Sequence, residues 1–289
     1  MTNWQSRQSF LGQECANTLR DGRVGIVGLG GGGSHVAQQL AHIGVEHFVL
    51  CDPDEYEDKN HNRTVGGTPA DADAKTPKVR IAQRLVRAIN PKSTVSALKH
   101  RWQNGLPFLR GCDVIFGCVD SYTERDQLER LSRRFSIPYI DIGMDVSKAE
   151  CGYAVHGQVV LSLPGSLCMH CFNFLRPELL EMEAREYNHA GGRPQVIWPN
   201  GILASTAVGL FMQLIAPWHK NVNVGSVMYD YDGNRHTMVV SPRVAALSSM
   251  VCTHFEDVEG EGDPFWNAGD GVTSMMRAVE KWCSERRST

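Results

Sequence analysis

The sequence predicts an α/β fold built on a doubly wound, mostly parallel sheet with an antiparallel C-terminal extension. Three observations carry the prediction. Short apolar runs alternate with amphipathic stretches through the first half of the chain. A glycine cluster joins the first run to the first amphipathic stretch, and beyond about residue 150 the runs lengthen and the alternation stops.

The first strand, 24–27, is an apolar run too short for a helix, and the stretch behind the glycines places a helix over 34–43. A second strand follows at 47–51. Segment 78–89 reads KVRIAQRLVRAI, which sets Val79, Ala82, Leu85, Val86 and Ile89 on one helical face. Strand 114–119, helix 124–135 and strand 139–142 repeat the alternation. Then 153–163 and 227–241 read as longer strands of antiparallel character, separated by a polar stretch and an apolar helix over 201–215. An acidic, glycine-rich loop at 256–271 and a helix over 273–284 close the sequence.

No linker marks a second unit, so 1–289 is predicted as one domain. It divides into an N-terminal arm (1–22), a nucleotide-binding half (23–150), and a C-terminal β portion (151–255) with a crossover loop at 176–200. The acidic loop and C-terminal helix (256–289) follow.

The formal net charge of −3 gives no basic surface for wholesale nucleic-acid binding. No apolar run approaches the roughly 20 residues of a membrane span, and the first ten residues lack the basic-then-apolar profile of a signal peptide. The expectation is a cytoplasmic protein without nucleic-acid or membrane partners. Its nine cysteines are then reduced thiols. Cys15, Cys51, Cys112 and Cys118 lie in or beside apolar runs and are expected in the core.

Six glycines fall within residues 25–33, and Gly28-x-Gly30-x-x-Gly33 follows a strand and opens a helix. Such glycines permit a tight turn, close approach of backbone to phosphate and close helix–strand packing. The helix start then offers free N–H groups and its dipole to an anion. Asp52 ends the next strand, where an acid can accept hydrogen bonds from ribose hydroxyls. These features make the fold Rossmann-like, and taken alone they suit NAD or FAD.

The residues that follow favour ATP. Splitting a triphosphate requires cations around it and stabilisation of the transferred group. Asn60 and Arg63, then Lys75 and Lys78, follow Asp52; Asp120 ends the run VIFGCVD with Arg125 behind it. A carboxylate at a strand C-terminus can hold Mg²⁺. Each residue also has a plain structural reading, as a loop cation, a surface charge or a helix cap.

In order, Gly28-Leu29-Gly30-Gly31-Gly32-Gly33-Ser34, Asp52, Asn60-His61-Asn62-Arg63, Pro77-Lys78-Val79, Ile89-Asn90-Pro91 and Val119-Asp120 with Arg125-Asp126-Gln127-Leu128 resemble the ThiF/MoeB/HesA family. These are adenylating enzymes related to ubiquitin-activating enzymes, and the resemblance runs from about residue 7 to about residue 255. It implies ATP-dependent adenylation of the C-terminal glycine carboxylate of a ubiquitin-like or sulfur-carrier protein, with release of pyrophosphate. Under it, Gly28, Gly30, Gly31, Gly33, Asp52, Asp54, Asn60, Arg63, Lys78 and Asp120 contact the nucleotide, and Asp120 also binds Mg²⁺. Arg63, Lys78 and Asp120 then form the catalytic set. Arg7 resembles an N-terminal arginine that reaches a partner subunit's site, which implies a homodimer. Two alternatives stand beside this reading: an NAD- or FAD-dependent oxidoreductase, and a non-catalytic interaction subunit of the same fold.

Cys168-Met169-His170-Cys171 presents two thiols at zinc-binding spacing. Many family members add a second Cys-x-x-Cys; here that region reads Val251-Cys252-Thr253-His254. Cys252, with His254 or His170, would complete a zinc site, and a metal-free cysteine pair is the other reading. No cysteine lies between Cys171 and Cys252, where some relatives carry a nucleophile. The crossover holds Glu178, Glu181, Glu183, Arg185, His189 and Arg193, read individually as solvating a loop. Either the enzyme stops at the adenylate or a thioester forms on another cysteine.

Overall fold

The computed structural model describes residues 3–185, 194–219, 225–247, 250–257 and 259–261. Its strands are β1 (Arg23–Val27), β2 (His47–Cys51), β3 (Thr94–Leu98), β4 (Val114–Gly117), β5 (Tyr139–Ala149), β6 (Gly152–Ser162), β7 (Val227–Asp232) and β8 (Thr237–Val240). They form one sheet in the order β3-β2-β1-β4-β5-β6-β7-β8. The pairings from β3 to β5 are parallel, and those from β5 to β8 antiparallel. The mixed sheet is thus the predicted one.

The helices are α1 (Gly12–Asp21), α2 (Gly31–Ile43), α3 (Pro69–Asp73), α4 (Lys78–Ile89), α5 (Leu106–Leu109), α6 (Tyr122–Arg134), α7 (Pro177–Arg185), α8 (Ile197–Ile215) and α9 (Pro242–Ala246). Strand alternation sends successive side chains to opposite faces of the sheet. Ile26, Leu50, Phe116 and Ile140 pack in one cluster with Val36 of α2, Val86 of α4 and Phe211 of α8. Val27, Val49 and Ile115 pack in a second, with Leu109 of α5 and Leu128 of α6. Phe116 and Phe211 meet edge-on, 5.9 Å between centroids, locking α8 onto the sheet. Cys15, Cys51 and Cys112 are buried as expected, and Cys118 is half-buried.

Several elements differ from expectation. Segment 227–241 is two strands, because Asp232 Oδ1 accepts the N–H groups of Asn234 and Arg235 and turns the chain. The arm is a 3-10 stretch, Asn3–Leu11, followed by α1, which buries Cys15, Thr18 and Leu19. The crossover contains α7. Helices α2, α6 and α8 each begin two to four residues earlier than predicted. In α6 the reason is Ser121, whose Oγ accepts from Glu124 N at 3.2 Å and caps the helix. The predicted helix at 273–284 lies outside the described residues.

Candidate functional site: a nucleotide crevice and a thiol cluster

From β1 the chain moves outward to β2 and β3, then returns to β4 on the other side of β1. That reversal opens a crevice at the carboxyl ends of β1 and β4, the switch point where open α/β sheets bind ligands. The glycine turn lies there. Gly28 has φ +86°, a left-handed conformation that disfavours a side chain, and any Cβ on it would strike Cys118 O. A Cβ on Gly33 would strike Gly28 O, so the start of α2 lies directly on the turn. Around Gly30 there is open space. Gly30 caps α2 without a side-chain hydrogen bond, leaving the first N–H groups of the helix for an anion.

Asp52 is buried at the end of β2. Its Oδ2 accepts from Leu29 N at 2.6 Å and its Oδ1 from Asp54 N at 2.8 Å. The carboxylate therefore shapes the glycine turn. Burial pushes its carboxyl above the usual range, while Lys78 and the two N–H groups oppose that rise. Lys78 opens α4, and its Nζ lies 2.7 Å from Asp54 Oδ2. The Asn60–Arg63 block is fixed by its own turn: Asn60 Oδ1 accepts from Glu57 N, and Arg63 Nη1 donates to Lys59 O and Asn62 Oδ1. Val65 N donates to Ser34 Oγ at 3.0 Å, which sets this block against the first turn of α2.

Asp120 is exposed and directly precedes the Ser121 cap of α6. Behind it Arg125, 5% exposed, donates from Nη2 to Val119 O at 2.8 Å and pairs with buried Asp141 at 3.3 Å. Burial first, then neighbouring Asp120, pushes the Glu124 carboxyl up; Glu183 and Asp52 add to it.

Sequence reasoning missed Asn200 at this crevice and read Glu183 as solvating a loop, whereas the structure places it on α7 with its carboxylate bonded to α6. Glu183 of α7 docks on the start of α6, and Asn200 of α8 presses its carboxamide on Gly31, where a Cβ would strike Asn200 Nδ2. Neither has a local signal, because each contact is made across long sequence separation. His189 and Arg193 lie outside the described residues. Arg7 is exposed in the 3-10 stretch, whose Gln8 donates to Ile43 O at 2.8 Å. Ile43 ends α2, about 18 Å along the helix from Gly31, so Arg7 stands at the far end of α2 from the turn of its own chain.

The second cluster is Cys168, Cys171, Cys252 and His254, with ligand atoms all within 4.8 Å of one another. Cys168 Sγ lies 3.6 Å from Cys171 Sγ; His254 Nδ1 lies 3.5, 3.5 and 3.9 Å from Cys168, Cys171 and Cys252. A tetrahedral zinc with ordinary bond lengths has edges of about 3.8 Å between sulfurs and about 3.5 Å from sulfur to nitrogen. The donor set fits that ion. His254 Nδ1 is the fourth potential ligand atom of the cluster. His170 instead stacks on the His254 ring at 5.3 Å and binds Asp126 Oδ1 at 2.7 Å. Burial holds the Cys168 thiol far above its usual range, a tendency that a coordinated cation reverses. Beneath, Glu129 accepts from Met169 N and Arg133 donates to Ser166 O and Leu167 O, so α6 anchors the cysteine loop.

Fold and crevice together define a Rossmann-type α/β protein with a phosphate-binding kind of glycine turn at its switch point. The chain belongs to the ThiF family, whose model matches residues 3–254. It is 32% identical over 133 residues to the molybdopterin-synthase adenylyltransferase of Salmonella typhimurium (45% of this chain, 51% of that protein). It is 31% identical over 124 residues to the sulfur carrier protein ThiS adenylyltransferase of Escherichia coli (42% and 49%). With the Escherichia coli molybdopterin-synthase adenylyltransferase the identity is 27% over 225 residues (76% and 82%). The chain thus spans about half the length of the first two relatives. Among solved structures, Escherichia coli MccB with ATP superposes at a TM-score of 0.66 and 19% identity, covering 83% of this chain and 71% of that one, a likeness of fold. No helix among the described residues is long and apolar enough to cross a membrane.

Proposed function

We propose that this protein adenylates the C-terminal glycine carboxylate of a ubiquitin-like or sulfur-carrier protein with ATP. In that reaction a carboxylate oxygen bonds to the α-phosphorus, the bond to the α,β-bridging oxygen breaks, and pyrophosphate leaves with that electron pair. The product is an acyl-adenylate. The observation that carries the reading is the glycine turn at the switch point, flanked by a lysine at the start of α4 and an exposed aspartate between β4 and α6.

In this scheme the N–H groups of Gly30, Gly31 and Gly33 and the dipole of α2 hold phosphate, and Asp52 and Asp54 face the ribose side. Lys78 leaves Asp54 for the triphosphate, and Asn60 and Arg63 approach from beside Ser34. Two anions meet in this reaction, and fixed cations lower the barrier electrostatically. Mg²⁺, held by Asp120, would neutralise the departing pyrophosphate. Zinc on Cys168, Cys171, Cys252 and His254 would be structural, since four protein donors leave no open position. The distance of Arg7 from its own glycine turn favours a homodimer in which it serves the partner's site. We take residues 1–289 as one adenylation unit acting in the cytoplasm; relatives named as a sulfur carrier protein ThiS adenylyltransferase and a ubiquitin-like modifier-activating enzyme support the adenylation itself.

The test is ATP–pyrophosphate exchange with small ubiquitin-fold proteins ending in glycine. Exchange that requires such a protein, and is lost when its terminal glycine is removed, is the expected result. Exchange with none of them, together with NADH binding, would return the oxidoreductase reading. Carrier binding without exchange would favour the interaction subunit.

A further inference from the structure

We propose that Glu183 is a positioning residue of the adenylation site, fixing the junction that carries Asp120 and clasping the crossover to it. The inference rests on the functional reading above. The Glu183 carboxylate gathers four donors at the start of α6. Oε2 accepts from Thr123 N at 2.8 Å, Thr123 Oγ1 at 2.8 Å and Ser121 Oγ at 3.0 Å; Oε1 accepts from Tyr122 N at 3.1 Å. These bonds hold the carboxyl below the usual glutamate range against the opposing effect of burial. Such a carboxylate satisfies the free N–H groups of a helix start and its dipole.

The place of the contact gives it meaning. Asp120 is the residue before Ser121, so its backbone is pinned on both sides: by Arg125 Nη2 on Val119 O and by Glu183 on residues 121–123. A charge already satisfied at the start of α6 also keeps that helix from drawing a phosphate away from the glycine turn. The other end of the crossover is tied to the crevice as well, through Asn62 Nδ2 donating to Gln195 O at 3.1 Å. Both anchors thus stand beside residues assigned to the nucleotide, Asn62 next to Arg63 and residues 121–123 next to Asp120. Stability of α6 does not depend on Glu183 alone, because Ser121 Oγ also caps Glu124 N.

The test is calorimetric titration of the full chain with a non-cleavable α,β-methylene ATP analogue, with and without Mg²⁺, for wild type, E183A and E183Q. In E183A, loss of hydrogen bonds to a charged group should weaken binding about tenfold with Mg²⁺. Without the metal its binding should match wild type, since Glu183 acts through the metal-binding Asp120. E183Q keeps one acceptor oxygen, whereas Tyr122 N and Thr123 N bond to separate carboxylate oxygens, so it should show a smaller loss than E183A, about threefold and again only with Mg²⁺. Equal affinity of E183A and wild type with Mg²⁺, an equal loss in both conditions, or E183Q no better than E183A would overturn the inference. If E183A does not fold, E183Q decides: a loss confined to Mg²⁺ supports the proposal, and no loss contradicts it. Failure of the wild type to bind the analogue would overturn the functional reading and this proposal with it. Normal wild-type binding with indifferent variants would overturn this proposal alone.

Discussion

Lys78 Nζ lies 2.7 Å from Asp54 Oδ2, a bond between the first residue of α4 and the turn that follows β2. The lysine side chain is 11% exposed while its partner is 61% exposed, so the cation is held inside the crevice by an acid on its rim. Exposed pairs of this kind contribute little on their own. In the proposed reaction the bond is a storage position from which a triphosphate would draw the ammonium group.

K78A should therefore lower carrier-dependent ATP–pyrophosphate exchange on the order of 100-fold, the usual effect of removing one group that stabilises a transition state. D54A should change it within about fivefold. Exchange kinetics of the two variants check the asymmetry.

The glycine turn separates folding from binding. A Cβ on Gly33 would strike Gly28 O, whereas Gly30 faces open space. G33A should destabilise the protein by about 1–3 kcal/mol through overpacking. G30A should shift the melting temperature by less than about 2 °C yet abolish measurable Mg·ATP binding. Melting and titration of the same two proteins test both statements.

The thiol cluster should hold about one zinc per chain, with C252S and H254A each lowering metal content and thermal stability. Metal release should increase as pH falls, because thiolates and imidazole must be deprotonated to bind. Elemental analysis across a pH series measures this.

Asp71, inside the first turn of α3, completes a capping box with the N-cap Thr68 and accepts a bidentate bond from Arg84 of α4. Arg84 first, and Thr68 with it, holds its carboxyl far below the usual range, against the opposing pull of burial. A lowered folded pKa means stability present above the unfolded value near 3.9 and lost as pH falls below it. D71N should thus be about 1–3 kcal/mol less stable at pH 7, with the gap to wild type closing as pH drops below about 4. Urea unfolding at several pH values reads it.

What the sequence revealed follows from how local each signal is. The β1–turn–α2 unit was legible because strand, glycines and helix are contiguous. The thiol cluster was legible because each half carries its spacing, although the choice of His254 over His170 required the fold. Strand β3 was missed: only Val95 of its five residues is buried, so it shows no apolar run. Helix α1 was missed because just Cys15, Thr18 and Leu19 point inward. The split of 227–241 was available in Asp232-Gly233-Asn234, a turn signal outweighed by the apolar residues on either side. The docking of Glu183 could not be read, since nothing near it in the chain announces a partner some sixty residues away.

A crystal structure of the full chain with Mg·ATP tests the central claim most directly. The account predicts the triphosphate over Gly28–Gly33, Lys78 Nζ moved from Asp54 to a phosphate oxygen, Arg63 turned inward and Asp120 on the metal. Nucleotide bound elsewhere, or bound here with Lys78 still on Asp54 and Asp120 free of metal, would contradict it.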